Sequence, residues 1–175
     1  MSVPDIRKPS DLLQAIERGL REAEPGLQVG SRQGLDSSAE LPWVWLDLEH
    51  NQQAPRSSQG RQAQLLRIAV QVRVPRQAQG AALAACDLAS RLMALLADNR
   101  WGWSAEQCGA PGNLVALPSV ASEPQPTHEA WTLSFDQAIY LGPPLLEDPV
   151  GKPLFARRWE VSSIDDPSQY RALED

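Results

Sequence analysis

Residues 65–74 read Leu65-Leu66-Arg67-Ile68-Ala69-Val70-Gln71-Val72-Arg73-Val74, and this stretch decides the fold. Leu66, Ile68, Val70, Val72 and Val74 fill one face without exception, while Leu65, Arg67, Ala69, Gln71 and Arg73 fill the other. Alternation with period two predicts a β-strand with one face in a core. The register is specified too, because a slip of one residue would bury both arginines. Pro75 ends the strand by withdrawing a backbone donor.

Downstream, residues 79–98 are rich in alanine and leucine at helical spacing. Ala85, Leu88, Leu92, Leu95 and Leu96 form an apolar stripe, widened by Ala82, Cys86, Ala89 and Met93. So wide a stripe predicts a helix that lies across a sheet and touches a second helix closely through its alanines. Asp87 and Arg91 are spaced for an i, i+4 pair on its outer side. Upstream, Leu12, Leu13, Ile16, Leu20 and Ala23 predict a first helix over 11–23, with Ser10 as N-cap, Asp11 in the first turn and Pro25-Gly26 as terminator.

Between them, residues 27–41 read as loop with room for a short strand. Trp43 to Glu49 reads as a strand, with Val44, Leu46 and Leu48 on one face and Trp43, Trp45 and Asp47 on the other. The Trp-x-Trp pair fits ligand stacking, but wide aromatics more commonly cover a sheet face or an interface. His50 to Gln64 is polar and reads as a long irregular loop. After the second helix come Trp101-Gly102-Trp103, a loop over 104–113, and a strand over 114–120 placed at an edge by Pro118. A turn over 123–127 leads into a last strand over 130–141. Trp131, Leu133, Phe135, Ile139 and Leu141 share a face there, and Gln137 interrupts it, which predicts a bulge or an exit from the core.

From Gly142 the pattern changes. Pro143, Pro144, Pro149, Pro153 and Pro167 punctuate a stretch that still carries Phe155, Trp159 and Tyr170. Disordered tails are poor in aromatics, so residues 142–175 read as an extended C-terminal arm that docks on a surface, following a domain over 1–141. Trp159 is the expected anchor, flanked by Arg157 and Arg158.

The 175 residues carry a net charge of −6. The segment from His50 to Cys86 nevertheless holds Arg56, Arg61, Arg67, Arg73 and Arg76 and no carboxylate at all. Opposite charge in separate regions predicts self-association, a basic element of one subunit meeting acid on the next. The interface set expected from this is Arg56, Arg61, Arg67, Arg73, Trp43 and Trp45, with Phe155, Arg157, Arg158, Trp159 and Tyr170 from the arm.

Catalytic and metal-binding signatures are missing: no GxxxxGK(S/T), no GxGxxG, no GxSxG and no CxxC. The two histidines, His50 and His128, are too few for a zinc site and read as loop residues. Glu49 beside His50 does not make an acid–base pair, since neighbours on a strand point to opposite faces. Cys86 and Cys108 read as reduced thiols. The expectation is no catalysis, no cofactor and no metal. A pI near 4.9 opposes nucleic-acid binding as a main role. No apolar run approaches the roughly 18 residues of a membrane span. The first residues, MSVPDIRKPSDLL, are not those of a signal peptide, and the expected site of manufacture is a cytosol.

The order helix, strand, polar hairpin, strand, long helix, two strands resembles the tail terminator (tail completion) proteins of long-tailed bacteriophages. SDLLQAIERGLREAEPGLQV at 10–29, QLLRIAVQVRV at 64–74 and AWTLSFDQAIYLG at 130–142 carry the likeness, which spans roughly residues 5 to 141. The arm beyond is longer than the family leads one to expect. The resemblance implies an α+β fold, a mostly antiparallel sheet of about four strands with two helices packed on one face. It implies a virion protein made in the host bacterial cytoplasm, a homohexameric ring at the head-proximal end of the tail tube. The ring ends tube polymerisation, docks the head–tail connector protein and passes genomic DNA through its lumen without specific binding. A connector, stopper or other minor tail protein would share these features. A small-molecule or nucleic-acid binding module would instead need a pocket, expected beside Trp43 and Trp45.

Overall fold

The computed structural model describes residues 5–30, 42–119, 127–145, 154–156 and 170–172. Helix α1 spans Pro9–Ala23 and opens on Lys8 rather than Ser10, which lies inside the first turn. Asp11 is the reason: its Oδ2 accepts the backbone N–H groups of Arg7 (2.9 Å) and Lys8 (3.2 Å). A carboxylate there satisfies orphan donors and suits the helix dipole, so the hydroxyl is not needed. Leu12, Ala15, Ile16 and Leu20 are buried.

Strands β1 (Gln28–Gly30), β2 (Trp43–Ala54), β3 (Gln62–Pro75), β4 (Gly112–Pro118) and β5 (His128–Leu141) form one sheet in the order β1-β2-β3-β5-β4. β1 runs parallel to β2 and every other pairing is antiparallel. With α1 and α2 (Ala81–Leu96), this is an α+β fold whose five strands include one, β1, that the sequence leaves as a short strand inside a loop. The alternating strand reading of β3 holds: Leu66, Ile68, Val70, Val72 and Val74 are all buried, in one cluster with both helices. β4 is at an edge, as Pro118 requires.

Residues 50–64 depart from the irregular loop expected of them. β2 continues to Ala54 and β3 begins at Gln62, leaving only a tight turn around Ser57 and Gly60. Gln52 pairs with Leu65, Gln53 with Gln64 and Ala54 with Ala63. The register shifts once between Leu48 and His50. Backbone pairing needs no apolar alternation where neither face enters a core, so a polar hairpin gives no periodic signal. Asn51 Nδ2 donates to Gln64 Oε1 across the ladder (3.1 Å).

The two helices do not meet as the alanines of α2 predict. Ala82 is exposed and Cys86 and Met93 are half-buried, so the stripe is narrower than expected. Arg91 pairs with Glu24, which follows α1 (2.9 Å), and not with Asp87. Trp101 packs against α1 at Gly19, where an added Cβ would sit 2.7 Å from Cζ3 of the indole. Gly19→Ala should therefore destabilise the protein by about 1–2 kcal/mol, overpacking outweighing the roughly 1 kcal/mol that alanine gains in a helix. Gly26→Ala, with nothing within 4 Å of the new Cβ, is the control for urea denaturation and should change little.

The chain divides into two compact units, Met1–Leu145 and Leu146–Asp175. The second contains strands β6 (Leu154–Ala156) and β7 (Tyr170–Ala172), paired antiparallel with Phe155 opposite Arg171 and Ala156 opposite Tyr170. Within the arm expected over 142–175, the described segments 154–156 and 170–172 thus pair with each other. Arg157, Arg158 and Trp159 lie outside the described residues.

Candidate interaction surface

One face of the sheet carries the helices; the other carries the groups singled out in the sequence. The register places them in rows. Leu117 is opposite Thr132, Thr132 opposite Gln71 and Gln71 opposite Trp45. One row along, Val115, Ser134, Ala69 and Asp47 line up, and beyond them Asp136, Arg67 and His50.

The arginines meet acid that the sequence separates from them. Arg67 Nη1 donates to both carboxylate oxygens of Asp136 (3.1 and 3.2 Å), and its Nε lies 3.9 Å from Glu49. Arg76 Nε lies 2.8 Å from Glu129. Arg56 Nη1 donates to the Gly60 carbonyl and Arg61 Nη1 to the Gly142 carbonyl, each at 2.8 Å. Folding brings β5 and the end of β2 beside β3, so much of the charge separation visible along the chain is closed within one subunit. Arg56 and Arg61 hold the hairpin turn and the segment after β5 in place.

Burial pushes the Asp136 carboxyl upward, but hydrogen bonds from Asn113 (2.7 Å) and Arg67, with the Arg67 charge, outweigh it and hold the pKa below the ordinary value. A lowered folded-state pKa contributes stability above the unfolded pKa and loses it as pH falls through the folded one. Asp136→Asn should therefore cost about 1 kcal/mol at pH 7, and the gap to the unsubstituted protein should narrow toward pH 3 in denaturation curves.

Arg73 stands apart. Its guanidinium carbon lies 4.9 Å from the Trp45 ring centre, and its buried Nε has no hydrogen-bond partner. Directly across the ladder is Trp43, whose indole N–H is also buried and unpartnered. Trp43 and Trp45 meet edge to face at 6.1 Å, both 3% exposed, and His128 stacks on Trp43 at 5.4 Å. His128 opens β5 and His50 lies in β2, so neither sits in a loop.

Three features are only partly legible in the sequence. The edge strand β4 exposes Val115 (39%) and Leu117 (59%) and has no charged residue. Trp101 enters the core from a left-handed backbone (φ 57°), steadied by its N–H to Asn99 Oδ1 at 2.8 Å. Gln137 neither bulges nor emerges; β3 and β5 pair continuously through it and it is fully buried. Its Nε2 donates to the carbonyls of Asn99 and Gly109 (2.9 Å each) and reaches Cys108 Sγ (3.3 Å), while its Oε1 accepts from Trp101 Nε1 (3.2 Å). Burial pushes the Cys108 thiol up to about 12, against the charge of Arg100 and the Gln137 contact, so it stays protonated and unreactive at neutral pH.

A groove of about 420 Å³ lies between the helices, lined by Ala15, Arg18, Gly19, Leu95, Asn99 and Trp101, and is not the pocket expected beside Trp43 and Trp45. Among the described residues no group of three or more His, Cys, Asp or Glu is placed to hold a metal ion. Among the described residues no helix is long and apolar enough to cross a membrane. No protein-family model matches the chain, and no curated protein matches it.

Proposed function

We propose that this protein is a structural component of a bacteriophage tail that forms a ring at the head-proximal end of the tail tube, ends tube growth and joins tail to head. The observation that carries this reading is a subunit with two unlike surfaces. One is an uncharged, partly apolar edge strand, β4, and the other is a separate compact unit at residues 146–175. Unlike surfaces make heterologous contacts, and a heterologous contact that closes is a ring of limited size. Edge strands left uncharged and apolar are sites where another chain pairs. The α+β arrangement accords with the element order that carries the family resemblance. Arg56, Arg61 and Arg67 are held by groups of their own subunit and Trp43 and Trp45 are buried, so the β4 edge carries the contact.

The test is assembly. Size-exclusion with light scattering should give a hexamer, alone or on adding tail tube protein, and electron microscopy should show tubes whose growth stops when the protein is added. A monomer at high concentration that leaves tube length unchanged would overturn the reading. A head–tail connector would bind the tail only after its end is closed, so the order of addition separates the two roles.

A further inference from the structure

The sheet of the first unit has a second open edge opposite β4. β1 pairs only with Trp43, Val44 and Trp45, while β2 runs on to Ala54. Among the described residues nothing pairs with that side of β2 from Leu46 onward, and residues 49–53 are exposed. Natural edges are usually guarded by charge. β4 has no charged residue, and β2 has no Lys, Arg, Asp or Glu from His50 to Ala54. Asp47 and Glu49 before it are engaged by Trp45 Nε1 (3.0 Å) and Arg67 Nε (3.9 Å).

The ladder bonds tell which backbone groups face outward. Ser119 N–H donates to the Ala130 carbonyl (2.8 Å), so Ser119, Leu117 and Val115 turn their backbone groups to β5 and Ala116 turns its own out. Arg76 N–H donates to the Thr127 carbonyl (2.9 Å), which gives the even residues of β3 to β5 and the odd ones to β2. Arg67 and Leu65 therefore bond His50 and Gln52, and Asn51 and Gln53 face out.

We infer that the β4 edge of one copy pairs with the open edge of β2, residues 46–54, of a second copy. The inference rests on the ring reading and names the partner of the β4 edge. The three pairings between β2 and β4 are all antiparallel, so these two strands run in opposite senses. Copies set side by side in one orientation continue the antiparallel alternation and keep their helices on one face. β4 against β4 would be isologous and would stop at a dimer. Within a subunit β4 lies level with residues 44–50 of β2. Meeting residues 46–54 offsets the next copy by about three residues, ~10 Å, over a four-strand width of ~19 Å. That slant of roughly 30° approaches the roughly 35–45° tilt of sheets that close on themselves. So short a pairing falls below the roughly 1,000 Å² of a stable interface, so the ring also needs a contact from residues 146–175.

The experiment is cross-linking of the full chain in a Cys86→Ser background. Val115→Cys is combined with Gln52→Cys in one protein and with His50→Cys in another, which covers neighbouring registers. Mild oxidation should give a ladder of covalent oligomers from at least one double variant and none from the single variants. Within one subunit these positions are three strand spacings apart, ~14 Å, beyond the ~7 Å that a disulfide spans between Cα atoms. Ala116→Pro and Gln53→Pro each remove one outward N–H and spare the subunit's own ladder. Each should raise the concentration at which the oligomer dissociates by about tenfold or more, with thermal melting to check the fold. A ring in which neither double variant cross-links would overturn the pairing and leave the ring standing, as would a ring that ignores both prolines. Val115→Cys linking to itself would place β4 against β4 and overturn it too. An unsubstituted protein that stays monomeric, alone and with tail tube protein, would overturn the ring and this pairing together.

Discussion

Gln137→Leu is expected to destabilise the protein by about 3 kcal/mol, although it replaces a polar side chain with an apolar one of similar size in the core. The fully buried Gln137 amide binds four groups from the segment that follows α2. Leucine would fill the space and leave the Trp101 indole N–H and the Asn99 carbonyl without partners, and the Gly109 carbonyl with only the weak Cys108 S–H contact. An orphaned buried donor or acceptor costs about 1–3 kcal/mol, while the leucine recovers part of that by apolar burial. The urea midpoint should fall with an unchanged slope, and hydrogen exchange should show residues 99–109 opening first. A loss below about 1 kcal/mol would mean that water or a backbone shift satisfies these groups, and the side chain would then be a tolerated polar residue and not the fastener of this segment.

Deleting residues 146–175 is expected to abolish the ring while leaving the first unit folded. Among the described residues the buried apolar cluster runs from Ile6 to Ile139, and the deletion removes none of these. Light scattering should report a monomer, with the thermal transition lowered by a few degrees at most. Retention of the oligomer would shift the contact to the β4 edge, where Leu117→Lys would then be the disruptive change. Collapse of the monomer would show that the second unit contributes to the stability of the first, and the proposal that it serves as a tether would fail.

Local periodicity determined the elements of this protein. Ten residues of strict alternation at 65–74 define the central strand and the face it buries, and the stripes of α1 and α2 define which sides meet the sheet. Proline 118 marked β4 as an edge, and the lone glutamine in β5 marked a place where the pattern needed explaining. These features are legible because side-chain direction repeats every two residues in a strand and about every 3.6 in a helix, whatever the partner. The polar hairpin at 50–64 was not legible, since its pairing is made by backbone groups that every residue shares. Tertiary structure alone decided the electrostatics. Arg67 and Asp136 are 69 positions apart, yet register makes them neighbours, so a run of arginines without acid in sequence became a largely neutralised surface in space. The same placement left Arg73 beside indoles instead of carboxylates. Charge acts through distance, and distance between strands is set by pairing register, which composition along the chain does not contain.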